Sequence, residues 1–134
     1  MDTTRAIFEI KEAEKYFLLK ILVNKLDASN SLNIKQTVLG LRDKNVKNLI
    51  INLNEVKYID SSGLSAILLA HKICTEAQGI MILCGISEHV LKLIKISQLD
   101  KVLDILPTEE EAIDAVFMKE LEKEFGAEED DFTK

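Results

Sequence analysis

Hydrophobic residues fall into short blocks whose spacing changes along the chain. Two apolar-rich runs come first, Ile7-Phe8-Glu9-Ile10 and Tyr16 to Val23. The charged Lys11-Glu12-Ala13-Glu14-Lys15 between them is short enough for an antiparallel hairpin. Asp27-Ala28-Ser29-Asn30-Ser31 then supplies capping residues for a helix that carries Leu32, Ile34, Val38 and Leu41 and ends around Lys44-Asn45. Leu49-Ile50-Ile51-Asn52-Leu53 has the near-continuous apolar form of a strand covered on both faces. Asp60-Ser61-Ser62-Gly63 introduces a second helix reaching about Gln78, with Gly79 as its stop, and Ile80 to Cys84 is another buried strand. A third helix over about Glu88 to Leu99 and a short strand over Val102 to Leu106 follow.

The last element has the clearest boundary. Thr108 follows Pro107, and Thr108-Glu109-Glu110-Glu111 fits a capping box, in which the acid at the third helical position reaches back. Ile113, Val116, Phe117 and Leu121 then make one stripe at helical spacing. Beyond Phe125 the run Gly126 to Asp131 has no apolar period and is expected to be frayed. The order β-β-α-β-α-β-α-β-α predicts an α/β domain with a mixed, mostly parallel sheet and flanking helices. The expected division is one domain over 1–125 and an acidic, flexible tail over 126–134.

Composition narrows the picture. A length of 134 residues suits one domain that buries a core without a staple. Residues 1–107 hold 14 Lys/Arg against 12 Asp/Glu, a balance of +2, whereas 108–134 hold 3 against 11, a balance of −8. Neither part has the basic stripe that displaces counterions from phosphates, so direct nucleic-acid binding is not expected. The longest apolar runs are five residues (Ala66 to Ala70, Ile80 to Cys84), too short for membrane insertion. Met1-Asp2-Thr3-Thr4-Arg5 lacks the apolar core of a signal peptide, and the two cysteines, Cys74 and Cys84, suit a reducing compartment. A soluble cytoplasmic protein is the expectation.

Little supports an enzyme. There is no Gly-x-x-x-x-Gly-Lys phosphate cradle and no Gly-x-Gly-x-x-Gly turn, and no cofactor is implied. His71 and His89 are not at metal-ligand spacing and read as packing or solvent-facing residues; neither cysteine lies in a Cys-x-x-Cys pair, and both read as small core hydrophobes. Asp60 beside Ser61 and Ser62 is not a nucleophile constellation, because serine hydrolysis also needs a base and an oxyanion hole.

Asp60 to Leu64 is nevertheless the most informative segment. Its plain reading is a helix N-cap, with Asp and Ser accepting from the free amides of the first turn. The helix behind it is less ordinary. At about 100° per residue, Ala66, Ala70, Ile73, Cys74 and Ala77 share a face suited to close packing on a sheet. Leu64 and Leu68 lie well around from it, beside His71 and Thr75, leaving only Ser65, Lys72 and Glu76 as a narrow polar stripe. Either neighbouring helices or a partner protein must cover the second apolar face.

Ile59-Asp60-Ser61-Ser62-Gly63-Leu64, after the strand Leu49 to Leu53, resembles the signature of the STAS domain, and more narrowly that of the bacterial anti-sigma factor antagonists. Leu26-Asp27, Cys84-Gly85-Ile86-Ser87 with Val90 to Leu93, and Leu99 to Ile105 with the Glu-rich helix start after Pro107 extend the resemblance over about residues 6–118. The resemblance implies a partner that is at once anti-sigma factor and ATP-using serine kinase, bound by the unmodified antagonist and released when a serine is phosphorylated. A metal-dependent serine phosphatase would reverse the modification. By position the acceptor is Ser62; Asp60, Ser61, Gly63 and Leu64 form its surroundings, and Asp27 and Ser87 are neighbouring loop positions of the partner surface. The chain departs from the family at Asn24-Lys25-Leu26-Asp27, where Gly-Glu-Leu-Asp is common, so a base replaces an acid. The acidic end beyond Met118 is longer than the minimal domain needs and reads as a solubilising segment, with docking as its alternative. The competing function is a non-switching STAS scaffold or accessory subunit of a lipid transporter or stress-sensing assembly.

Overall fold

The computed structural model describes residues 6–133, with side chains described as far as Phe125. The expected tail over 126–134 falls outside the described side chains. The main sheet has five strands in the order β1-β2-β4-β6-β7. β1 (Phe8–Glu12) and β2 (Phe17–Ile21) form the expected antiparallel hairpin, with Ile10 opposite Leu19. β4 (Leu49–Asn52), β6 (Met81–Cys84) and β7 (Asp104–Leu106) add in parallel. Each parallel step needs a crossover, and the helices α1 (Ser31–Asp43), α2 (Ser61–Glu76) and α3 (Glu88–Ile96) lie in those connections.

Alternation along the central strands sorts side chains to two faces. Leu19, Ile21, Leu49, Ile51, Met81 and Leu83 belong to one buried cluster with α1, α2 and α3. Leu18, Ile50, Ile82 and Cys84 form a smaller cluster on the other face with Ala112 and Val116 of α4 (Glu109–Thr133). β4 and β6 are buried throughout, which is why their sequences read as unbroken apolar runs. Each fully buried Leu or Ile contributes roughly 1.5–3 kcal/mol relative to exposure.

Two buried asparagines tie the sheet to α4. Asn48 donates to the Lys15 carbonyl and to Glu120, both at 2.9 Å, and accepts from the Ile80 amide at 3.0 Å. Asn52 donates to Glu109 and accepts from the Asn54 amide at 2.7 Å. With such partners these polar groups avoid the penalty of unsatisfied burial.

The structure departs from the expected pattern in four places. Lys25–Leu26 (β3) and Tyr58–Ile59 (β5) pair in parallel as a second, two-stranded sheet. α2 ends at Glu76, and the left-handed residue behind it is Gln78 (φ 64°), not Gly79. Gly79 serves close approach instead, since a Cβ there would collide with the Lys47 backbone. α3 stops at Ile96, and after the left-handed Gln98 a separate 3-10 turn spans Leu99–Lys101. Finally, the stripe on α4 splits: Val116 is buried and Ile113 half-buried, whereas Phe117 and Leu121 face solvent.

Candidate functional site at the start of the second helix

The small second sheet builds the site. Leu26 is paired with Ile59, so the next residues, Asp27 and Asp60, leave adjacent strand ends in register, and the Asp60 amide donates to the Leu26 carbonyl at 3.2 Å. From there one chain runs through Asp27-Ala28-Ser29-Asn30 into α1, and the other enters α2 directly.

Asp60 is the N-cap of α2, in an extended conformation (φ −112°, ψ −173°). Its Oδ1 accepts from the Gly63 amide at 3.0 Å and its carbonyl from the Leu64 amide at 3.0 Å. Gly63 is there because the first turn is pressed against β3 and β5. A Cβ at that position would run into the Leu26 carbonyl and lie 2.6 Å from Ile59 Cγ1. Leu64 and Ile67 are buried beneath, while Ser61 is exposed and Ser62 half-buried. Ser61 and Ser62 take the first two helical positions, whose amides have no acceptor within a helix. No acidic residue stands in this first turn.

Asp27 is locked by a separate loop. It accepts from the Ser29 hydroxyl at 2.6 Å and the Ser29 amide at 3.0 Å, and its own amide donates to Asn30 Oδ1 at 3.0 Å. Asn30 in turn donates to the Lys25 carbonyl at 2.8 Å. The Ser29 hydroxyl and amide, with the nearby Lys25 cation, hold the Asp27 carboxyl below its ordinary range. Lys25, the base standing where the family often has an acid, is exposed on β3 and acts on this carboxylate.

Ser87 caps α3, its hydroxyl accepting from the Val90 amide at 3.3 Å. Two residues on, His89 stacks on Tyr58 of β5, ring centroids 6.2 Å apart and planes at 22°. This contact joins the start of α3 to the strand that delivers Asp60. The residues expected from sequence thus gather at one end: Asp27 with Asp60 across β3 and β5, Ser61 to Leu64 in the adjoining turn, and Ser87 linked through His89 and Tyr58. Tyr58 and His89 were not expected as a pair. Only an aromatic residue just ahead of the Asp60 motif hinted at it, because strand and helix meet solely in the fold.

The second apolar face of α2 is covered from within the chain. α1 packs along α2; Leu64 is buried, and Leu68 and Leu69 are partly buried against the core. Cys74 and Cys84 are buried, and desolvation pushes their thiols up to about 12 and about 11, the latter also raised by Glu109. Both remain protonated and poorly nucleophilic near neutral pH. A hollow of about 310 Å³ at the other end of the sheet is lined by Lys15, Tyr16, Asn48 and Glu120, and it uses the structural Asn48 network rather than these residues. Among the described residues no helix is long and apolar enough to cross a membrane, and no cluster of His, Cys, Asp and Glu could hold a metal ion.

Comparison with known proteins places this geometry in a wider set. An anti-sigma-B factor antagonist from Listeria monocytogenes is 29% identical over 103 residues, covering 77% of this chain and 90% of the relative. The Bacillus cell fate determinant SpoIIAA, in its phosphorylated form, superposes with a TM-score of 0.65 at 25% identity, covering 81% of this chain and 98% of that one. An anti-sigma-factor antagonist (STAS) domain protein from Planctomyces limnophilus shares the fold with a TM-score of 0.75 at 20% identity, covering 83% and 98%. The family model for the STAS domain matches residues 9–112, a span that takes in both sheets apart from Phe8, α1 to α3 and the capped start of α4, and the chain belongs to the STAS domain family.

Proposed function

We infer that this protein is an anti-sigma factor antagonist: it binds a kinase-type anti-sigma factor while Ser62 is unmodified and lets go when Ser62 is phosphorylated. The observation that carries the reading is the first turn of α2. Ser62 sits there half-buried, at a helix start that holds no acid of its own, two residues after the cap carboxylate of Asp60, whose strand end adjoins that of Asp27. The names of the relatives in Listeria and Planctomyces, and a related chain that exists in a phosphorylated form, support the same reading.

The physics of a switch follows from that location. A phosphate adds about −1.5 to −2 charges. Free amides and the helix dipole favour such an anion by ~0.3–1 kcal/mol, so the fold tolerates it. Against a partner the same anion sits among Asp60 and Asp27, and desolvating it without a cation costs several kcal/mol. A loss of ~3 kcal/mol weakens binding roughly a hundredfold. Asp27, Ser61 and Ser87 form the surface around this point, with Gly63 and Leu64 buried behind it rather than at the surface, and a metal-dependent serine phosphatase restores the binding form.

The test is direct. Incubated with the kinase-type anti-sigma factor of its own cell and ATP, the protein should gain the mass of one phosphate and leave the complex. Ser62→Ala should bind and stay unlabelled, and Ser62→Asp should bind about a hundredfold more weakly. Labelling of Ser62→Ala at the wild-type rate would move the acceptor elsewhere, and wild-type affinity of Ser62→Asp would remove the electrostatic switch.

A further inference from the structure

α4 is wrapped on one side only. Ala112 and Val116 are buried against Leu18, Ile50, Ile82 and Cys84. On the opposite side Phe117, Leu121 and Phe125 follow one another at steps of four, with Met118 alongside. They are 44%, 47%, 52% and 58% exposed, respectively. Single exposed apolar side chains are ordinary, but four adjoining ones on one helix face make a patch.

The charges on this helix are sorted as well. At about 100° per residue, the apolar stripe is preceded by Glu110 and Asp114 and flanked by Glu111 and Glu122 on one side and Glu124 on the other. All five acids are exposed. Lys119 and Lys123 project from the far side, where Lys123 donates to the Gln78 carbonyl and lies 3.8 Å from Glu120. The rim that α4 itself gives the stripe is therefore of a single sign.

We propose that this face of α4 is a docking surface for a partner that presents an apolar ridge edged by Lys and Arg, in the manner of a basic amphipathic helix. A second copy of the chain does not fit, because it would bring two segments with a balance of −8 each together (3 Lys/Arg against 11 Asp/Glu over 108–134). Like charges set opposite one another disfavour such an interface. An anionic membrane surface is repelled for the same reason. A basic rim reverses the sign, adding on-rate and orientation to the apolar contact. The surface lies across the sheet from Ser62, since α1, α2 and α3 pack on one face and α4 on the other. A partner here leaves the start of α2 free, so the protein can hold two partners together.

The probe is a synthetic helical peptide with Leu at spacings of three and four and Lys on its flanks, titrated into the full chain and followed by amide NMR shifts. Shifts confined to α4 and binding that weakens as salt rises are expected. The double variant Leu121→Ser/Phe125→Ser should weaken binding at least about tenfold. Its positions are exposed, so an unchanged urea midpoint should accompany the loss. Glu122→Lys/Glu124→Lys should do the same by reversing the rim, and Ser62→Asp should leave peptide affinity unchanged. Equal binding of a peptide with Glu in place of Lys, or shifts on α1 to α3, would overturn the proposal. Self-association of the chain that disappears in Leu121→Ser/Phe125→Ser would also overturn it, in favour of a second copy as occupant.

Discussion

Both α2 and α4 begin with a side chain that accepts the amide of the third helical position: Asp60 from Gly63 at 3.0 Å, and Thr108 from Glu111 at 3.1 Å. Beyond that shared cap the two starts diverge. The first turn of α4 carries Glu109, Glu110 and Glu111, whereas that of α2 carries no acid. A helix start favours an anion by ~0.3–1 kcal/mol, so α4 has this stabilisation permanently and α2 leaves the place open. The backing differs too. Thr108 is exposed, but the α2 start is held against a second sheet by Gly63 and by the Asp60 amide on Leu26. A cap by itself therefore marks no function. A rigidly backed cap, with hydroxyls at the first two positions and no resident acid, is a place where one added phosphate changes the charge while the fold stays intact.

The rigid backing is the part of this contrast most easily broken. Gly63→Ala puts a Cβ into the Leu26 carbonyl and the Ile59 side chain, and overpacking of this kind costs ~3 kcal/mol at the upper end of the usual range. Gly40, inside α1, has nothing within 4 Å of where a Cβ would stand. Gly40→Ala should stabilise by ~0.5–1 kcal/mol, the ordinary gain in a helix interior. Urea unfolding of both variants checks the pair. Similar small changes in the two midpoints would show that the α2 start is not pinned against β3 and β5.

Much of this was legible beforehand, and what was not has a common cause. The hairpin, the buried strands and the helix starts are written in local spacing, and each stands within a few residues of where that spacing puts it. β3 and β5 were not legible because a two-residue strand has no period; Lys25-Leu26 and Tyr58-Ile59 become strands only by finding each other across 33 positions of chain. The Asp60 motif was visible as a string, but the reason for its glycine was not, since Leu26 belongs to a different segment. Likewise, helical spacing grouped Phe117 and Leu121 with Val116, although the sheet is covered by Ala112 and Val116, with Ile113 and Ala115 partly buried beside them. Periodicity tells which side chains share a face and says nothing about how wide the opposing surface is.

A smaller effect tests the caps themselves. Asp60→Ala and Thr108→Ala each remove a side-chain acceptor and should cost about 1 kcal/mol. Charge then separates the two. Ser62→Asp adds an anion to the empty first turn of α2, where the dipole offsets repulsion from Asp60, so its change in stability should stay below about 1 kcal/mol. Asp60→Asn keeps an acceptor for Gly63 and removes the neighbouring charge, so it should stabilise the Ser62→Asp protein more than the wild type. Equal effects in the two backgrounds, read from urea midpoints, would mean that Asp60 and an anion at Ser62 do not sense each other.

The smallest effect concerns Asp27, the carboxylate on the neighbouring strand end. Its folded pKa is depressed below the ordinary carboxylate range, first by the Ser29 hydroxyl and then by the Ser29 amide. A depressed carboxylate contributes stability above its unfolded pKa and loses that contribution as pH falls through the folded value. Ser29→Ala removes the hydroxyl donor and keeps the amide, so Asp27 should titrate nearer its ordinary value, and the acid-side loss of stability should be smaller and complete at higher pH. Glu120 of α4 is the internal control, because its carboxyl is held low by Asn48 on the other side of the sheet. Carboxyl-carbon NMR titration should show Asp27 moving and Glu120 unmoved. A shift at both would mean that Ser29 acts through the global fold; a shift at neither would mean that the amide alone holds the Asp27 charge in place beside α2.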